Sequence, residues 1–178
     1  YKRQGQGSAS SMLAPRKDET PRARSQRFNR TIKECGADYR KALEYLSMMK
    51  ADGRGGADVY GYNATITACG KAGEWETAVA LLGEMRRSGV APNVVSFNAT
   101  IGACKQGEQW KIAMKVMDDM ENCDVEPEVI SFSVAMSTCE KSGQWQRILT
   151  MLADMHQRGI EPNVSVWNSA VCACGKTG

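Results

Sequence analysis

The chain reads as an all-α solenoid, a row of stacked helical hairpins, and three observations carry that reading. Cysteine recurs at positions 35, 69, 104, 139 and 174, at intervals of 34, 35, 35 and 35 residues. Trp75, Trp110 and Trp145 keep the same beat, as do Met85, Met120 and Met155, and Pro92, Pro127 and Pro162. Within each period, two stretches carry apolar residues at helical spacing on either side of a glycine turn. Self-similarity at such a period marks a solenoid, in which each unit buries its apolar face only against its neighbours. The result is an elongated surface with one equivalent patch per repeat, a shape suited to binding.

The elements follow in order. Residues 1–24 are rich in Ser, Ala, Gly, Gln, Pro and Arg, with too few apolar residues to pack a core. Three readings fit: a disordered tail or linker, a basic arm that orders on a partner, or the remains of a transit sequence. Residues 25–58 form a degenerate unit, aligned by deleting about two residues after Cys35 and adding one near Gly55 and Gly56. Three full units of 35 residues follow without a gap, 59–93, 94–128 and 129–163. Residues 164–178 supply the first helix of another unit and no second. That apolar face lacks its hairpin partner, so a continuing chain or another protein is expected to cover it.

The unit 94–128 shows how each hairpin is written. Phe97, Ile101 and Cys104 fall at i, i+4 and i+7, one helical stripe. Ala99, Gly102 and Ala103 beside them allow close approach of a neighbouring helix. The turn is expected at Gly107, with Gly73 and Gly143 in the flanking units. Ile112, Ala113, Val116, Met117 and Met120 then make the apolar face of a second helix. It stops near Gly89 or Gly159 in the units that have a glycine there; Asp124 stands in that place in the middle unit. Pro92, Pro127 and Pro162 prevent continuation, and Asn93 and Asn163 follow as N-caps of the next helix.

Composition narrows the function. The chain is 42% hydrophobic, yet no apolar run approaches a membrane span. Five of the seven cysteines occupy one repeat position, about one repeat apart in space, which suits small buried residues rather than disulfides or a zinc site. No CxxC pair exists, and Cys172 and Cys174 on a helix face different ways. The expectation is no metal and no cofactor. The tryptophans open each second helix and are expected to pack between hairpins rather than to form a stacking platform. The Met85, Met120 and Met155 row is core, and His156, the only histidine, is a helix-surface residue. No nucleophile–base arrangement, paired carboxylates, phosphate loop or deaminase motif assembles, so the chain is not expected to be an enzyme.

The run Tyr62-Asn63-Ala64-Thr65-Ile66-Thr67-Ala68-Cys69-Gly70-Lys71-Ala72-Gly73, closed by Met85, Gly89, Pro92 and Asn93, resembles a pentatricopeptide repeat. The likeness covers 59–178 well and 25–58 loosely; the tetratricopeptide pattern has 34 residues and differently placed signatures. The resemblance implies a right-handed superhelix of helix pairs that binds single-stranded RNA in a plastid or mitochondrion, at about one base per repeat. It also implies that the fifth and last residues of each unit select the base. These are Asn29 with Asp58, Asn63 with Asn93, Asn98 with Glu128, and Ser133 with Asn163; Asn168 has no counterpart. By the same resemblance Asn/Asp favours uracil, Asn/Asn pyrimidines and Ser/Asn adenine, while Asn98/Glu128 fits no usual pair. The second residue of each unit, Tyr60, Val95, Ile130 or Ser165, would pack on the base. Lys71, Lys105, Lys141 and Lys176 near the first-helix ends would meet phosphates. The same residues also serve locally: Asp58, Asn93 and Asn163 as caps, and the lysines as partners of the helix dipole.

Charge pulls the other way. Residues 1–24 carry six bases against two acids, a net of +4, so the remainder of the +3 chain carries −1. Nucleic-acid affinity rests largely on phosphate neutralisation. From Asp118 to Glu140 there are seven acids and no base. The alternative expectation is a protein–protein scaffold, a subunit of a large organellar assembly such as a ribosome or membrane complex. It would contact partners through the basic tail, the acidic stretch 118–128 or the open C-terminal end.

Overall fold

The computed structural model describes residues 19–51 and 56–175. Among these residues it contains helices and no strand: α1 (Pro21–Glu34), α2 (Tyr39–Ala51), α3 (Val59–Ala72), α4 (Trp75–Arg87), α5 (Val94–Gln106), α6 (Trp110–Glu121), α7 (Val129–Lys141), α8 (Trp145–Gln157) and α9 (Val164–Gly175). Odd-numbered helices open a hairpin and even-numbered ones close it. No described helix is long and apolar enough to cross a membrane.

The first helix begins at Pro21, four residues inside the stretch read from sequence as tail. Thr20 caps it by accepting from Ala23 N–H at 3.3 Å, and Pro21 sits where no intrahelical donor is needed. Glu19 then takes a two-pronged contact from Arg27, at 2.9 and 2.7 Å, tying the approach to the helix. Lys2, Arg3, Arg16, Lys17 and Asp18, which carry most of the tail's charge, lie outside the described residues.

Two layers result. Each opening helix packs on the next opening helix, α1 on α3, α3 on α5, α5 on α7 and α7 on α9. Each closing helix packs on the opening helices before and after it, and among the described residues no two closing helices pack together to a comparable extent. Small residues make the first layer possible. A Cβ built on Gly70 would lie 3.2 Å from the Ala103 side chain, and one on Gly61 would lie 3.1 Å from Asn29 Oδ1.

In the three full repeats the opening helix buries its fourth, eighth and eleventh residues. Tyr62, Ile66 and Cys69, then Phe97, Ile101 and Cys104, then Phe132, Met136 and Cys139 are all buried, as are Met85, Met120 and Met155 opposite them. Each large side chain contributes about 1.5–3 kcal/mol by leaving water. In α9 the equivalent Trp167 is 52% exposed and Val171 68%, because no described closing helix covers them.

The turns differ from expectation at one point. Gly73 and Gly143 take the left-handed conformation between the helices, but in the middle hairpin that position is held by Glu108, at φ 56, and not by Gly107. Gly107 has an ordinary φ of −84 and is required for another reason. The Trp75 ring lies over it, and a Cβ there would come within 2.3 Å of that ring. Trp75 therefore packs between hairpins as expected, and Trp110 is partly buried against the core. Trp145 is 37% exposed; the residue in the register of Gly107 would be Thr177, outside the described part.

Candidate nucleic-acid interface

The N-terminus of each opening helix meets the start of the next, and there the fifth residue of one unit faces the residue that precedes the following helix. In two of these pairs a side-chain amide closes the contact. Asn29 donates through Nδ2 to both carboxylate oxygens of Asp58, at 3.1 and 3.0 Å. Asp58 also accepts from Ser25 Oγ and caps α3 by accepting from Gly61 N–H at 2.9 Å. A cleft of about 550 Å³ opens here, lined by Pro21, Arg22, Ser25, Gln26, Asn29, Asp58 and Tyr60. Tyr60 forms one wall and is 71% exposed.

One repeat further on, Asn63 Nδ2 donates to Asn93 Oδ1 at 3.3 Å, and Ser96 Oγ donates to Asn63 Oδ1 at 2.6 Å. Asn93 Oδ1 in turn accepts from Ser96 N–H at 3.1 Å, which caps α5. Asp58 and Asn93, the last residues of their units, thus serve as helix caps while they meet the fifth-position amides. A cap is held by its helix, so its remaining hydrogen-bonding capacity points in a fixed direction. Ser25 and Ser96 were not among the residues singled out from sequence. Ser96 sits at the third position of its unit, whose counterparts are Gly61, Ser131 and Val166, and only that small polar residue beside Asn signals the contact.

The third pair is open. No hydrogen bond joins Asn98 to Glu128; Asn98 Oδ1 is buried without a partner, and its NH2 is the accessible atom of the amide. Glu128 is exposed and donates its N–H to Ser131 Oγ at 3.2 Å. Its side chain in turn faces the Ser131 N–H, so that Glu128 and Ser131 form a capping box at the start of α7. In the fourth pair Ser133 and Asn163 do not meet either. Ser133 Oγ donates to Ser165 Oγ at 2.8 Å, and Asn163 caps α9 by accepting from Val166 N–H at 3.0 Å. Asn168 is exposed on α9.

The second-position side chains stand free beside these pairs. Val95 is 57% and Ile130 54% exposed, and Ser165 is exposed. Large apolar groups left in water at equivalent positions of successive repeats form a stripe to which flat rings would adhere. Lys71 and Lys141 lie at the thirteenth position, eleven residues after Tyr60 and Ile130, which on a 3.6-residue helix is the same side. Lys105 lies one residue earlier than that register, about 100° round the helix, and is half-buried. Lys176 lies outside the described residues.

The remaining residues of interest sit elsewhere. Burial pushes the Cys69, Cys104 and Cys139 thiols up to about 11, far from the thiolate range of a nucleophile. None of the cysteines is joined in a disulfide. Among the described residues no group of three or more His, Cys, Asp and Glu is placed to hold a metal. His156 is exposed in the last turn of α8. On the closing-helix side, a cleft of about 690 Å³ runs between α6 and α8, over Trp110, Met114, Met117 and Met151. In the acidic stretch, Glu121 is paired with Arg158 at 2.6 Å, and Arg158 also holds Asp154 at 2.8 Å.

The sequence profile described as "PPR repeat family" matches residues 57–106 and 92–141, and that described as "PPR repeat" matches 130–160. Among curated proteins no sequence match is found. Among solved structures, the chain is similar to the pentatricopeptide repeat protein PPR10 in complex with an 18-nt psaJ RNA element, with a TM-score of 0.70 and 24% identity. That match covers 90% of this chain and 23% of the PPR10 chain. PPR10 from maize solved alone gives a TM-score of 0.67 at 24% identity over 85% of this chain and 22% of its own. The PPR domain of Arabidopsis thaliana protein-only RNase P 1, in complex with tRNA, gives 0.74 at 16% identity over 89% and 82%. At these identities the likeness establishes the fold. Repeat length, hairpin geometry and profile matches over residues 57–160 agree, and the chain belongs to the pentatricopeptide repeat family.

Proposed function

We propose that this chain is a non-catalytic RNA-binding protein that holds a single strand along its opening helices, about one base per repeat. The observation that carries the proposal is the repeated arrangement of a polar pair beside an exposed flat or branched side chain. Asn29 with Asp58 beside Tyr60, and Asn63 with Asn93 beside Val95, offer hydrogen-bonding groups fixed by capping next to surfaces for stacking. Two of the similar solved proteins are bound to RNA, an 18-nt element and a tRNA. In this reading Asn29/Asp58 selects uracil, Asn63/Asn93 a pyrimidine and Ser133/Asn163 adenine, and Lys71, Lys105, Lys141 and Lys176 meet phosphates. A plastid or mitochondrion as the site of action belongs to the same reading.

The test is selection of short RNAs from a randomised single-stranded pool by the full chain, at low and at physiological salt. A recovered motif with a pyrimidine and an adenine two repeats apart is expected. Lys71→Ala should weaken binding of every recovered sequence alike and lower the slope of log K against log salt by about 0.7. Recovery of no motif, with binding lost on adding salt, would refute base reading.

A second reading, a scaffold in a larger organellar assembly, is favoured by the cleft between α6 and α8. Its apolar floor is flanked by Lys111, Lys115 and Arg147 and by Asp118, Glu121 and Asp154, a lining suited to a protein segment. Partners that stay with the tagged chain through nuclease treatment, and are lost on Met114→Lys, would favour it.

A further inference from the structure

The cleft between α6 and α8 has the periodicity of a helix seat. Along α6 its wall takes Trp110, Met114, Met117 and Glu121, at i, i+4, i+7 and i+11. Along α8 it takes Arg147, Met151 and Asp154, at i, i+4 and i+7. Phe132 of α7, which packs on both helices, supplies a buried floor. Two such stripes side by side leave a furrow that a third helix fills, because helices meet along rows of residues three and four apart. Methionine at three lining positions suits that use, since its unbranched chain adapts to the side chains pressed on it. The charges then say which helix. In α4, Glu76 stands in the first turn and Arg86 and Arg87 in the last, the order the helix dipole favours. On the cleft, α6 and α8 reverse that order. Neither has an acid in its first turn; Lys111 and Arg147 stand there instead, and Lys115 follows. The acids Asp118, Glu121 and Asp154 fall in the C-terminal halves. Arg158, just beyond α8, holds Glu121 at 2.6 Å and Asp154 at 2.8 Å, which ties the two helices together and leaves acids in excess at that end.

Helices α6 and α8 hold equivalent places in successive repeats and run the same way, so both walls pass from basic to acidic together. We infer that this cleft docks an amphipathic helix of a partner protein, acidic in its first turn and basic in its last, lying parallel to α6 and α8. That charge order is the one the partner helix's own dipole favours. Laid parallel, it sets acids against Lys111, Lys115 and Arg147, and bases against Asp118, Glu121 and Asp154. Walls of 12 and 13 residues, roughly 18 Å long, give it about three turns. The inference rests on the scaffold reading of the cleft given above, and adds to it the occupant and its direction. It uses none of the opening-helix positions assigned to RNA.

The test presents the full chain with a displayed library of randomised peptides of about 16 residues, enough for three turns and their flanks. Enriched peptides are expected to carry apolar residues at i, i+3 or i+4, and i+7, with acids before the stripe and bases after it. Met114→Lys should weaken them at least about tenfold. A second variant carries Lys115→Glu and Arg147→Glu together. Both side chains are exposed, and glutamate in the first turn of α8 agrees with the helix dipole, so this variant should unfold at the parent's denaturant midpoint. It should bind the selected peptide about tenfold more weakly at low salt, and lysines in place of the peptide's N-terminal acids should restore binding. Peptides that need Met114 but enrich in the opposite charge order, or with the alternation of an extended strand, would overturn the inference and leave the scaffold reading standing. A dimer of the chain broken by Met114→Lys, or displacement of the peptide by single-stranded RNA, would give the cleft another occupant and overturn the inference. Enrichment of no Met114-dependent peptide would overturn both the inference and the scaffold reading of the cleft.

Discussion

The opening helix α7 and its counterpart α9 have the same pattern and opposite fates. Phe132 and Met136 in α7 are sealed under α8, while Trp167 and Val171 in α9 stand largely in water. Cys139 is buried and Cys174 is exposed. Nothing in the local sequence of α9 makes it less apolar. What differs is the closing helix, so burial in this array belongs to the hairpin and to the neighbour that follows, not to the residue type. The comparison also explains why one side chain can matter greatly in one unit and little in the next.

The sharpest break of that comparison is truncation of the fourth position in both settings. Phe97→Ala should cost about 3–5 kcal/mol of stability, since the cavity lies between α5 and its hairpin partner and cannot collapse freely. Trp167→Ala should cost less than about 1 kcal/mol. Denaturant unfolding of the two variants measures the difference directly, and equal losses would mean that α9 is covered by something in solution.

Two adjacent turn residues should respond in opposite directions. Gly107→Val must displace the Trp75 ring and should destabilise by about 1–3 kcal/mol. Glu108→Gly relieves a left-handed residue and should stabilise by up to about 1 kcal/mol. Thermal midpoints of the pair check both signs; loss of stability from Glu108→Gly would show that the side chain, not the backbone, matters there. A smaller effect is expected at the caps, where Asn93→Ala removes a bond to Ser96 N–H and should cost about 1 kcal/mol.

The buried thiols give a dependence on pH. Their values are raised from 9.0 to about 11, by burial above all, so the folded state disfavours the thiolate. Their contribution to stability is complete below pH 9.0 and is lost as pH rises through about 11. Cys104→Ala should flatten the alkaline part of a plot of unfolding midpoint against pH. At neutral pH, Cys172 and Cys174 should be alkylated quickly, while Cys69, Cys104 and Cys139 wait for unfolding.

The fold was legible from the period because each repeat states the same apolar stripe and the same stops. Tyr62, Phe97 and Phe132 could be placed in the core from spacing alone. The pairs of the candidate interface were legible only as positions. Whether Asn63 touches Asn93, or Asn98 misses Glu128, depends on one methylene and on the third residue of the following unit, which periodicity does not weigh. Gly107 was assigned to the turn because glycine usually marks one; its actual use, room for Trp75, is a contact across units. The start of α1 was obscured by the basic composition around Pro21, where Thr20 and Glu19 supply a cap and an ion pair that composition does not reveal.

In the proposed function, base identity is set where successive opening helices meet. This is tested most directly by Ser133→Asn in the full chain, which converts the Ser133/Asn163 pair into the type found at Asn63/Asn93. Selection from a randomised RNA pool should then show a single position changing from adenine to pyrimidine, two repeats away from an unaltered pyrimidine. An unchanged motif, or a change spread over every position, would contradict the account.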